Sequence, residues 1–261
     1  MVPTVFPQAE TLPLQIAIST ITRTAISNQD GYLSNNSGPG IGSWFVPDSF
    51  TLLKYDDFYR NGAGDGASHN IYIGFDNYLQ TKFTLEYSKS RDSFIGHLVK
   101  TRAPHNYILY NQISDSVGAS SYSLDFCLGG TTYVIGNILY KTTATNPNAN
   151  YNLMVFADVF DNTSSDPEYA VPNQDLHFQN NIVIDDNQNS SDSFVNVSCD
   201  QNPNTACPAP SNGPPVTTPA VIKNNLFIGL DTNVTNQSIA KANDNLVLPY
   251  SDIAAAGYKL Q

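Results

Sequence analysis

The stretch Tyr107-Ile108-Leu109-Tyr110-Asn111-Gln112-Ile113 returns along the chain as Tyr133-Val134-Ile135-Gly136-Asn137-Ile138-Leu139, Phe178-Gln179-Asn180-Asn181-Ile182-Val183 and Val221-Ile222-Lys223-Asn224-Asn225-Leu226-Phe227. An earlier copy, Leu52-Leu53-Lys54-Tyr55-Asp56-Asp57-Phe58, carries aspartate where the others carry asparagine. Asn111 and Asn137 are 26 residues apart, and Asn137, Asn181 and Asn225 follow at intervals of 44, which read as two turns of 22 each. Periods in the twenties, with a turn-forming Asn between alternating apolar residues, mark a solenoid rather than a sandwich. The expectation is an all-β, right-handed parallel β-helix, the hand being the general preference of parallel crossovers. Its apolar side chains stack inward, while an Asn at each bend takes the left-handed conformation and hydrogen-bonds its counterpart in the next coil. Asp57 is read as the member of that ladder in its own coil.

A chain of 261 residues with 41% hydrophobic content fits a single domain over 1–261. Polar excursions from the coil are expected near 141–152 and 185–219, and the tail from Leu246 to Gln261 is expected to fold across the C-terminal end. The formal net charge of −11 excludes nucleic acid and anionic membrane surfaces as partners, because both need a basic face. No apolar run is long enough to insert into a bilayer. Cys199 and Cys207 flank a short loop that a local disulfide would close, leaving Cys127 as a buried thiol in an apolar run. The opening Met1 to Pro7 does not read as a secretory signal. Coil sequence starts almost at once, at Leu14 to Ser19, so the chain is expected to be a fragment lacking upstream coils.

Chemistry-bearing residues are unevenly spread. Of the twelve Lys and Arg, Lys82, Lys89, Arg91, Lys100 and Arg102 fall within residues 82–102, and three of the four His, His69, His97 and His105, fall between 69 and 105. A cationic cluster on an acidic chain points to an anionic ligand, since a site responds to nearby charges rather than to the total. Counting back from the ladder residues sets Lys100 against Asp125, His97 against Tyr122, and Tyr72 one coil earlier beside Lys100. These residues form one substrate-sized patch.

The phrases Asn61-Gly62-Ala63-Gly64-Asp65-Gly66-Ala67-Ser68-His69-Asn70-Ile71-Tyr72-Ile73-Gly74, Gly96-His97-Leu98-Val99-Lys100-Thr101-Arg102 and Ser121-Tyr122-Ser123-Leu124-Asp125, with Gly129-Gly130, resemble bacterial right-handed parallel β-helix proteins of the pectate-lyase-like superfamily. The resemblance runs from about Gly31 to Tyr140. It implies the fold and a carbohydrate-directed role, and carries no catalytic assignment with it.

On that basis the expected function is a polysaccharide lyase acting on a uronate-containing polymer by β-elimination. Lys100, Arg102 and His69 are the catalytic candidates, and Tyr72, His97, Tyr122, Asp125 and Arg91 are the substrate-binding ones. Lys100 would serve as base if Arg102 eased its deprotonation, Arg102 would neutralise the carboxylate, and His69 or Tyr72 would return the proton. No metal ligands are assigned; Ca2+ stays open as a cofactor, with Asp65 read first as a turn residue. Two alternatives stay open beside the lyase. One is a glycoside hydrolase using Asp125 with Asp65. The other is a glycan-binding or adhesin segment with Tyr55, Tyr59, Tyr72 and Tyr87 as its aromatic stripe. Lys100 and Asp125 also read as a structural ion pair between coils. An extracellular or cell-surface location follows only from the substrate class and the Cys199 and Cys207 pair.

Overall fold

Runs of three to five residues that alternate inward apolar and outward polar side chains cannot form stable sheets singly, so each is held by its counterparts one coil above and below. The computed structural model describes residues 32–34, 38–43, 50–74, 81–143, 145, 152–157, 174–186, 193–197, 216, 218–229 and 233–251. Within them the strands make three parallel sheets of eight, seven and seven members. The first sheet stacks Tyr32–Ser34, Asp57–Tyr59, Lys89–Arg91, Gln112–Asp115, Ile138–Lys141, Ile182–Asp185, Leu226–Gly229 and Leu246–Pro249. The second stacks Ile41–Ser43, Ile71–Ile73, Val99–Thr101, Leu124–Phe126, Met154–Phe156, Ser193–Val197 and Asn233–Thr235. The third stacks Phe50–Lys54, Lys82–Glu86, His105–Leu109, Thr131–Ile135, Asp175–Gln179, Val221–Lys223 and Lys241–Asn243. The chain visits first, second and third sheets in turn and re-enters the first one coil further on, the path of a parallel β-helix.

The core is a set of columns. In the first sheet Phe58, Ser90, Ile113, Leu139, Val183 and Phe227 are register partners in successive coils, and all are fully buried. In the third sheet four of the five-residue strands bury only their second and fourth residues, such as Phe83 and Leu85 or Leu176 and Phe178, and Phe50–Lys54 buries Leu53 alone. Each large apolar side chain removed from water in this way contributes about 1.5–3 kcal/mol.

A polar ladder runs inside the corner between the third and first sheets. The side-chain oxygen of Asn137 accepts the amide of Asn111 at 2.8 Å and its side-chain Nδ2 at 3.0 Å. Asn181 does the same for Asn137, Asn225 for Asn181, and Asn245 for Asn225. Each Nδ2 also donates to a main-chain carbonyl of the coil before, as Asn137 does to Ile108 at 2.8 Å. The ladder therefore answers buried backbone groups that a tight corner would otherwise orphan.

Five details differ from the sequence reading. The left-handed residue is the one before each ladder Asn, with φ of 58° at Tyr110 and 57° at both Asn180 and Asn224, while the Asn itself points inward. The 44-residue intervals are single coils: Ile138 pairs directly with Ile182 and Ile182 with Leu226, the extra length leaving at other corners. The ladder member of the first described copy is Asp56, whose amide donates to Ser88 Oγ; Asp57 instead belongs to a first-sheet strand. Part of the expected 185–219 excursion is also a buried strand, Ser193–Val197. Leu246–Pro249 continues the first sheet by pairing with Leu226–Gly229. Residues 1–31, 252–261, Cys199 and Cys207 lie outside the described residues.

Asp56 is a carboxylate in a column of amides, and burial pushes its pKa from 3.8 up to about 6, against a hydrogen bond from the Lys54 amide. A raised acid binds its proton more tightly in the folded state, so its stabilising contribution is complete below about pH 4 and is lost as pH rises through about 6. The shift corresponds to about 3 kcal/mol, which solvent screening at this corner reduces to about 1–2 kcal/mol. Asp56→Asn is accordingly expected to raise the urea midpoint at pH 7 and to leave it unchanged at pH 3.5. A gain of equal size at both pH values would show that the carboxylate charge is not the cause.

Candidate functional site

The second sheet carries the chemistry on its outward face. Gly42, Tyr72, Lys100, Asp125, Val155 and Asn196 are register partners in six successive coils. Their neighbours in the same strands, such as Val99 and Thr101 beside Lys100, point into the core, so the outward direction follows from the period of two. Arg102, two residues after Lys100, shares its parity; its guanidinium lies 5.9 Å from the Tyr72 ring centroid, and its amide donates to the Ile73 carbonyl.

Behind this row stands a stack of rings. His69 and His97 are 4.6 Å apart with planes 11° from parallel, His97 and Tyr122 are 5.1 Å apart, and Tyr72 meets His69 edge-on at 5.3 Å. The stack is threaded by main-chain bonds. The His97 amide donates to His69 Nδ1 at 2.9 Å, and the Tyr122 amide donates to His97 Nδ1 at 3.1 Å. Gly96 makes the approach feasible, since a Cβ there would stand 1.8 Å from the Ser68 carbonyl oxygen.

An imidazole whose Nδ1 accepts an amide carries its proton on Nε2 when neutral. His97 Nε2 lies 3.3 Å from Asp125 Oδ2, and Lys100 Nζ lies 3.3 Å from the same oxygen. Burial drives the His97 pKa well below its ordinary value, and the nearby His69, Lys100 and Lys141 push the same way. His97 is thus a neutral hydrogen-bond donor to Asp125, and Lys100 supplies the charge in the pair. Asp125 is 4% exposed, so His97 and the carboxylate act from beneath the surface and Lys100 and Tyr72 are the groups nearer solvent.

A buried cation lies close behind. Lys141, fully buried, donates to the carbonyls of Ser121 at 2.6 Å and Ser120 at 3.2 Å and stands 3.6 Å from Asp115 Oδ2. Asp115 accepts the Ala119 and Ser120 amides. Burial lowers the lysine pKa and raises that of the aspartate, each partner opposing the shift of the other. The pair pins Ser120 and Ser121, the residues that lead into Tyr122. Sequence reasoning passed over Lys141, although it shares strand parity with the inward Leu139 and so signalled a buried cation.

Of the expected site residues, His69, Tyr72, His97, Lys100, Arg102, Tyr122 and Asp125 fall on this one patch. Arg91 does not. It lies on the first sheet, clamped to Asp57 by bonds of 2.7 and 3.0 Å and placed over the Tyr59 ring. Its guanidinium fork is occupied by a bidentate carboxylate, and it stands apart from the other expected substrate-binding residues. Asp65 accepts the amides of Ala67 and Ser68 and caps its own turn, bonds that hold its carboxyl below the usual range. Among the described residues no group of three His, Cys, Asp or Glu could hold a metal ion, and no helix is long and apolar enough to cross a membrane. No protein-family model, curated protein or solved structure matches the chain.

Proposed function

We infer that this protein is a carbohydrate-active β-helix that binds an acidic polysaccharide along the outward face of the second sheet and cleaves it by β-elimination. The supporting observation is the register row Tyr72, Lys100 and Asp125 with Arg102 beside Tyr72, which sets two cations and a phenol on one face. The resemblance of the Gly96 to Arg102 and Ser121 to Asp125 phrases to pectate-lyase-like proteins supports a carbohydrate-directed role.

The chemistry assigns roles by position. An ammonium paired with a buried carboxylate keeps its proton, so Lys100 acts as a cation and is not the base. Lys100 and Arg102 neutralise the uronate carboxylate, which stabilises the enolate-like charge that forms when the proton α to it leaves. Tyr72, as its phenolate, is the surface group placed to take that proton, and the phenol so formed delivers it to the departing glycosidic oxygen. The electron pair of the broken C–H bond becomes the new C=C bond, and the C–O bond breaks. His69 is 3% exposed with Nδ1 already occupied, so it orients Tyr72 through its edge contact.

The test is the ultraviolet absorbance of unsaturated uronates during incubation with alginate, pectate, glucuronan and glycosaminoglycans. The wild type is expected to produce it on at least one polymer, with Lys100→Ala and Arg102→Ala each reduced about 10²-fold. Tyr72→Phe is expected to remove turnover while leaving the substrate affinity near its wild-type value. Absence of unsaturated ends on every polymer would sink the lyase reading, and full activity of Lys100→Ala would sink this site.

A further inference from the structure

The corner residue that precedes each ladder position is left-handed in every described coil from Tyr55 to Asp244. Gly136, Asn180, Asn224 and Asp244 take that conformation readily. Tyr55, Tyr87 and Tyr110 also adopt it, with φ of 62°, 50° and 58°, although a bulky side chain is strained there. The three rings remain in solvent, 65%, 48% and 53% exposed, so burial does not explain them. Ring stacking recovers part of the strain, yet asparagine, used at the same corner later in the chain, would carry none of it.

The geometry of the strip matches a polymer. Ring centroids are 5.6 and 5.4 Å apart with planes within 20°. Both separations exceed the coil spacing of about 4.8 Å, so the rings are slipped and each leaves part of a face open. A pyranose unit in an extended chain is about as long as that spacing, so successive sugars meet successive rings. Charge narrows the ligand. Lys54 lies over Tyr55 and Tyr87 and is neutralised by Glu86 at 2.9 Å. Lys89, two residues after Tyr87 at the start of its first-sheet strand, is exposed and has no ion-pair partner among the described residues. An exposed lysine beside an aromatic strip, on a chain of net charge −11, complements an acidic polymer.

We propose that Tyr55, Tyr87 and Tyr110, with Lys89, form a second binding strip for an acidic polysaccharide, along the corner between the third and first sheets. Its ligand class rests on the lyase reading; its location does not, since the row of Lys100 belongs to the second sheet. The strip holds the polymer and breaks no bond.

Native electrophoresis in gels containing alginate, pectate, glucuronan or chondroitin sulfate tests it, with hydroxyethylcellulose as the uncharged control. The wild type is expected to be slowed by at least one acidic polymer. The triple variant Tyr55→Asn, Tyr87→Asn, Tyr110→Asn is expected to lose about tenfold in apparent affinity. Asparagine already occupies this corner at Asn180 and Asn224, so the triple variant keeps the fold and its melting temperature is expected to hold or rise. The strip is overturned if the wild type migrates freely in every acidic gel, or if the triple variant is slowed as much as the wild type. Equal slowing by hydroxyethylcellulose overturns the acidic ligand. Retardation without unsaturated ends removes the lyase reading and leaves the strip standing; turnover with undiminished retardation of the triple variant does the reverse.

Discussion

Lys141→Met destabilises the protein by about 3–5 kcal/mol, the cost of removing one partner from a buried ion pair. Methionine fills nearly the same volume, so the loss does not come from a cavity. It comes from Asp115, which stays in a fully buried position with its counter-charge gone, and from the Ser120 and Ser121 carbonyls, which lose their common donor. The second substitution Asp115→Asn removes the stranded charge and is expected to return about half of the loss, the Ala119 and Ser120 amides keeping an oxygen acceptor. Urea midpoints of the two single variants and the double variant measure this directly. Additive losses would show that the lysine and the aspartate are not coupled, and a Lys141→Met variant as stable as the wild type would remove the pair from the account of this corner.

The second large effect is expected at the middle of the ladder. Asn137→Ala deletes the acceptor for two donors of Asn111, the donor to the Ile108 carbonyl, and the donor to Asn181 Oδ1. Asn111 Nδ2 still reaches the Leu85 carbonyl, and Asn181 Oδ1 still accepts the residue 137 amide, so the group left bare is the Asn111 amide, while the Ile108 carbonyl, a member of the sheet ladder, loses its side-chain donor. At about 1–3 kcal/mol for the buried amide left without a partner and about 1 kcal/mol for the carbonyl's lost bond, the loss is about 2–4 kcal/mol. Asn245, half-buried at the last described rung, makes fewer such bonds, and Asn245→Ala is expected to cost about 1 kcal/mol. Chemical denaturation of the two variants separates the cases. Equal costs at both rungs would mean that the ladder bonds do not set the stability of the stack.

The ladder was legible because one residue type recurs at one structural place, beside apolar alternation that fills the columns. The placing of Lys100 against Asp125 and His97 against Tyr122 was legible for the same reason, since counting back from Asn111 and Asn137 preserves register within coils of similar length. The 44-residue intervals misled because excursions leave at corners and do not disturb the pairing of the strands on either side. The place of Arg91 was not legible, because the ladder residue of its coil is Ser88, whose amide donates to Asn111. With serine in that role the repeat is hidden, and Arg91, three residues beyond it, falls on the first sheet, away from Lys100.

Taken alone, the amino-acid sequence determined the all-β solenoid, its inward columns, its ladder and the coil-to-coil neighbours of Lys100, because these depend on the type and spacing of residues within one repeat. The tertiary structure decided what depends on partners from separate coils. His97 is held neutral because its Nδ1 accepts the Tyr122 amide and it is buried next to cations. Lys141 tolerates full burial because Asp115 and two carbonyls converge on it from the coil before. Three tyrosines line one corner because the ladder turns the residue before it outward in every coil. Periodicity is a local property that a sequence displays openly, whereas the charge state and exposure of a side chain are set by the sum of its neighbours, and those neighbours meet only when the coils stack.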